Sequence, residues 1–227
     1  MISKFFLISL TGLLLALSDV RGLAQSQTFL SNLGESPGGS FAVSQSSWAA
    51  QAFNVGDNIV GTRNEGFQLN SIQVLMDAPI GNPSGFSLSI YDIVTRDEGP
   101  SRFIGSLVGT PPNTAGVFTF TASNITLGPK TYWVVMTSSS PIAMGSYSWR
   151  ESSSGNFEGA DRWSPYPSHD FSSDGLTWTI NGNKPLQFAV YATAIPEPSS
   201  LVLIGLSCSF LFTRLARKSR SKTLRQP

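Results

Sequence analysis

The sequence predicts an all-β body built as an antiparallel β-sandwich. Three observations predict it. Apolar residues recur with period two over short runs, turn residues separate those runs, and no long amphipathic helix lies between them.

The runs begin with Gln51-Ala52-Phe53 and Phe67-Gln68-Leu69-Asn70. Ile72, Val74 and Met76 then alternate with Ser71, Gln73 and Leu75. Phe86, Leu88 and Ile90 alternate with Ser87, Ser89 and Tyr91, and Phe118 and Phe120 with Thr119 and Thr121. Successive side chains of a strand point to opposite faces, so this alternation describes half-buried strands. Tyr132-Trp133-Val134-Val135-Met136 is apolar throughout, as expected of a strand near the centre of a sandwich. Leu186 to Tyr191 closes the set.

Turn chemistry fills the breaks: Gly81-Asn82-Pro83-Ser84-Gly85, Gly99-Pro100-Ser101, Pro111-Pro112-Asn113 and Gly128-Pro129-Lys130. About seven or eight strands joined this way give a sandwich of jelly-roll-like type. Residues 150–174 are less regular, with Gly155, Gly159, Pro165 and Pro167 among aromatics. They read as a long ordered loop or a pair of short edge strands, and long loops in compact domains are often functional.

The two ends have a different composition. Lys4, an apolar run from Phe5 to Leu17 and the small-residue exit Gly22-Leu23-Ala24 predict a signal helix cleaved after Ala24. An uncleaved N-terminal anchor is the alternative. At the other end, Ile195-Pro196-Glu197-Pro198 is followed by an apolar stretch from Leu201 to Phe212 and a basic cluster, Arg214, Arg217, Lys218, Arg220, Lys222 and Arg225. Prolines two residues apart cannot lie inside a helix. They set a hinge before a short membrane helix whose basic end stays cytoplasmic. The domains expected are thus 1–24 signal peptide, 25–194 exported sandwich, 195–220 sorting signal and 221–227 basic cytoplasmic tail.

This tail resembles the PEP-CTERM sorting signal of Gram-negative bacteria, in which Pro-Glu-Pro precedes a short transmembrane helix and an arginine cluster. The resemblance spans Pro196 to Arg220 and departs from the usual form in having Ile195 where Val is common. It implies signal peptidase and an exosortase as partners and transient anchoring in the inner membrane. It further implies release to the cell surface or extracellular matrix, in the company of exopolysaccharide and biofilm. A plain C-terminal anchor is the alternative and has the same orientation. The body, from about 51 to 191, is also similar to the "choice-of-anchor R" domain, an exported β-sandwich found with several sorting tails. No enzymatic activity comes with that resemblance.

Between the two ends the body carries seven Lys and Arg against twelve Asp and Glu, a net charge near −5. An acidic body excludes nucleic acid as a partner. The single cysteine, Cys208, lies in the apolar tail, so the body folds without disulfides.

Chemistry is sparse. His169 is the one histidine, and it reads as a surface loop residue despite the adjacent Asp170. A nucleophilic triad would also need an activated Ser, and no Gly-x-Ser-x-Gly elbow is present. Asp92, Asp97 and Glu98 are weak candidates for a structural calcium, without a complete loop signature. Otherwise no cofactor is expected and no residue is assigned to catalysis. Trp149, Trp163, Tyr166 and Trp178 lie in or beside the irregular stretch. They read either as core aromatics closing one end of the sandwich or as rings that stack on glycans.

The function expected first is that of a non-catalytic envelope or matrix protein. A carbohydrate-binding module using the 149–178 aromatics comes second, and a secreted hydrolase third.

Overall fold

The computed structural model describes residues 26–56, 66–93, 99–160, 162–181 and 184–195. The signal segment, Pro196, Glu197, Pro198 and the basic cluster lie outside the described residues. The chain divides into two compact units at the Ala194/Ile195 junction.

Two antiparallel sheets form the body, which is all-β and sandwich-like. The first sheet runs β11 (Glu158–Gly159), β1 (Gln27–Ser31), β14 (Phe188–Ile195), β4 (Gly66–Gly81), β10 (Gly145–Ser152) and β2 (Pro37–Val43). Two more strands, β7 (Gly116–Thr121) and β8 (Thr126–Leu127), also pair with β4. The second sheet runs β13 (Thr179–Asn181), β12 (Ser164–Ser172), β3 (Trp48–Asn54), β9 (Thr131–Thr137), β5 (Ser87–Asp92) and β6 (Arg102–Leu107). The one helical element among the described residues is a 3-10 turn, Ile142–Met144.

β4 is the organising strand, with 16 residues. Its buried side alternates as the sequence implied, through Ile72, Val74 and Met76. The alternation slips at Asn70–Ser71, where two half-buried residues follow one another. The slip is held by local bonds: Ala122 N donates to Asn70 O, and Asn70 Nδ2 donates to Thr193 Oγ1 at 2.8 Å.

The space between the sheets is filled by one large apolar cluster that includes Phe53, Ile72, Met76, Ile90, Phe120, Val134, Trp149 and Phe188. A second, smaller cluster lies on the outer face of the second sheet, around Ala50, Ala52, Trp133 and Val135. These two clusters account for the unbroken apolar run of β9. Tyr132, Val134 and Met136 face the inter-sheet core, while Trp133 and Val135 face the outer cluster. Both faces of the strand are therefore covered.

The irregular stretch is corrected in part. Glu158–Gly159 is a short edge strand, but residues Ser164–Ser172 form β12, which is not at an edge: it pairs with β3 on one side and β13 on the other. Its register against β3 shifts between Pro165 and His169. The Gln51 side chain fills that irregularity. Its Nε2 donates to Tyr166 O at 3.0 Å and to Ser168 O at 3.2 Å, and its Oε1 accepts from Leu186 N at 2.7 Å. Pro165 and Pro167 lack backbone donors, and a side-chain amide bonds to carbonyls that a regular ladder would have used.

Candidate functional site

The four aromatics singled out from the sequence do not converge. Trp149 is fully buried and donates from Nε1 to Gln187 O at 2.9 Å. Trp163 is also a core residue, with its ring centroid 4.8 Å from Phe29, 6.1 Å from Phe53 and 5.2 Å from Phe67. For these two the glycan alternative is corrected, because both lie in the core and neither ring offers a face to solvent. Tyr166 stands on β12 between the two prolines and is 41% exposed. Trp178 packs on the outer cluster.

His169 is corrected as well. It is 1% exposed, not a surface loop residue. Nδ1 lies 2.8 Å from Lys184 O, and Nε2 lies 3.0 Å from Asn181 Nδ2. A carbonyl only accepts, so Nδ1 carries the proton in the neutral ring and Nε2 accepts from the amide. Both nitrogens are committed, which leaves neither to serve as a base. The edge of the ring packs on Phe41 at 5.1 Å.

Asp92 is fully buried at the rim where β5, β6 and the start of β9 meet. Arg102 Nε donates to Oδ1 at 2.8 Å, while Arg102 Nη2 and Lys130 Nζ both contact Oδ2. Burial pushes this carboxyl up, but the bonds and charges of Arg102 and Lys130 outweigh burial and hold it below the ordinary carboxylate value. Lys130 Nζ also sits 5.1 Å above the Tyr132 ring centroid. Two cations already satisfy the carboxylate that was the weak calcium candidate, and calcium would meet their repulsion. Asp97 and Glu98 lie outside the described residues. Among the described residues, no group of three or more His, Cys, Asp or Glu is placed to hold a metal ion.

The outer face of the second sheet carries the most distinctive chemistry. Three of the five tryptophans, Trp48, Trp133 and Trp178, belong to this cluster. Trp133 is paired with Ala52 on one side and Tyr91 on the other, and Tyr91 is paired with Phe103. Ala52, Trp133, Tyr91 and Phe103 thus form one row across four strands. The small Ala50 and Ala52 leave room for the indole, which reaches over β3 and donates from Nε1 to Asp170 Oδ2 at 3.3 Å. Burial raises the Asp170 carboxyl above the ordinary value, and the Trp133 bond only partly opposes this. Tyr91 and Phe103 meet edge to face at 5.5 Å. Phe103, on the edge strand, is 54% exposed.

Gly175 completes the cluster. Its φ is +75°, and an added Cβ would lie 2.3 Å from Trp48 Cζ3, so only glycine lets the backbone lie against that ring. The sequence named Tyr91 and Trp133 as strand residues, yet the row went unseen. Only the cross-strand register aligns Ala52, Trp133, Tyr91 and Phe103.

A shallow opening of about 350 Å³ lies elsewhere, lined by Gln27, Thr28, Glu158, Gly159 and Ala160. Glu158 is its one carboxylate, so it lacks the carboxylate pair that glycoside hydrolysis uses. No family model matches this chain, and neither a curated protein nor a solved structure matches it.

Proposed function

We propose that this chain is a non-catalytic exported protein of the cell envelope or extracellular matrix, sorted through its C-terminal tail. The observation that carries the reading is the layout of the sequence: a signal-like N-terminus, then the body, then Pro196-Glu197-Pro198, an apolar stretch and Arg214, Arg217, Lys218 and Arg220. Two features of the body support it. The last strand, β14, ends at Ile195, directly before the Pro-Glu-Pro motif, and the first compact unit closes at Ala194. The body's histidine, His169, and the most buried aspartate among the described residues, Asp92, are both engaged by structural partners.

In this reading, signal peptidase removes the front and the apolar segment holds the protein in the inner membrane of a Gram-negative bacterium. An exosortase then processes the tail, and the body serves at the surface or in an exopolysaccharide or biofilm matrix. The jelly-roll-like lineage of the sandwich belongs to the same proposal.

Fractionation of producing cells tests it. The full chain should pass from the membrane fraction to the surface or matrix fraction, and a chain ending at Ile195 should be exported without ever appearing in the membrane. Recovery of the full chain in the cytoplasm would overturn the reading.

A further inference from the structure

The outer aromatic cluster has no counterpart in a sandwich that packs only through its interior. A sheet face turned away from the core ordinarily carries polar residues. The first sheet follows that pattern, with Arg150 paired to Asp77, Gln73 Nε2 bonded to Thr119 Oγ1 and Tyr191 OH bonded to Gln73 Oε1. The second sheet breaks it with Trp48, Tyr91, Trp133 and Trp178 over a floor of alanines. Large apolar groups gathered on an outer face are the informative exception to the ordinary surface.

The ligand chemistry follows from the groups present. Flat rings such as Phe103 and Tyr91 attract the C–H-rich faces of sugar rings by burying apolar area at small conformational cost. Asp170 sits among them with Oδ2 held by Trp133 Nε1, which fixes its orientation and leaves Oδ1 as an acceptor for a hydroxyl. Asp170 sits among the rings, Asp174 lies beside Gly175 at the Trp48 end, and the whole body is near −5. A polyanionic polymer would be repelled, whereas a neutral one would not. We infer that the outer face of the second sheet is a contact surface for sugar rings of a neutral polysaccharide. The partly buried rings of Tyr91, Trp178 and Trp48 and the exposed ring of Phe103 supply the stacking, and Asp170 accepts from a hydroxyl. Export gives the setting in which such a polymer is met, and in that respect the inference rests on the function proposed above. The binding itself does not depend on processing of the tail.

Affinity electrophoresis of the full-length protein tests the inference, in native gels containing a neutral β-glucan, a mannan, a galactan or a uronic-acid polymer. Retardation is expected with at least one neutral polymer and not with the acidic one. Phe103→Ala and Trp178→Ala should each weaken it about tenfold, near 1.4 kcal/mol, while Tyr166→Ala, outside the row, leaves it unchanged. Phe103 is exposed on an edge strand, so that variant keeps the fold, and circular dichroism checks both. Absence of retardation on all three neutral polymers, equal retardation of Phe103→Ala and the wild type, or selective retardation by the acidic polymer would each overturn the inference. A protein that is exported and processed yet fails to bind leaves the export reading standing and removes this one.

Discussion

His169 and Asp170 are neighbours in sequence and lie on opposite faces of the second sheet. His169 pairs across the strands with Gln51 and packs inward against Phe41, whereas Asp170 pairs with Ala50 and receives the Trp133 indole on the outside. Period-two geometry makes a working dyad of adjacent strand residues impossible. His169→Ala should therefore cost stability: two part-buried hydrogen bonds and the packing of a buried ring are lost, about 2–4 kcal/mol in urea unfolding.

Asp170 predicts a pH effect of unusual direction. Burial raises its folded carboxyl above the unfolded value. The folded state then binds the proton more tightly, so this group favours folding below the unfolded value and loses that contribution as pH rises through the folded value. Asp170→Asn keeps an acceptor for Trp133 and removes the charge. At neutral pH its melting temperature should exceed that of the wild type, and the difference should vanish in acid. Thermal melts across pH 3 to 8 check this.

Asp92 predicts the opposite limb. Burial opposes its ionised form, but Arg102 and Lys130 hold its folded value below the unfolded one. Its contribution is present above the unfolded value and lost as pH falls through the folded value. Asp92→Asn should destabilise by about 2 kcal/mol near neutrality, less than a wholly buried pair because Arg102 and Lys130 can turn to solvent. The acid limb of the melting curve should flatten in the same variant.

Trp149 and Phe103 should separate core from surface. Trp149→Ala empties a fully buried site and removes one of the two donors to Gln187 O, the other being Leu75 N, costing about 3–5 kcal/mol. Phe103→Ala removes a ring that is 54% exposed and should change stability by about 1 kcal/mol or less. Urea midpoints of the two variants make the comparison.

The sheet architecture was legible where period two was clean. Ile72-Val74-Met76, Leu88-Ile90 and the run through Tyr132 to Met136 all lie in strands, with their alternation intact. β12 was hidden because Pro165 and Pro167 read as breakers, and because Gln51, over a hundred residues away, satisfies the carbonyls of Tyr166 and Ser168. Trp149 and Trp163 were ambiguous for another reason: an aromatic's burial depends on which sheet face it meets. The row from Ala52 to Phe103 needed register, which links residues far apart in sequence through backbone bonds that any side chain permits. The Asp92 partners were equally out of view, since Arg102 and Lys130 meet it only after β5, β6 and β9 are assembled.

Mass spectrometry of the protein recovered from the surface or matrix of its producing cells tests the central claim most directly. The account predicts a chain that begins at Gln25 and has lost the segment holding Arg214, Arg217, Lys218 and Arg220. A mature protein that retains an intact C-terminus through Pro227 would contradict it.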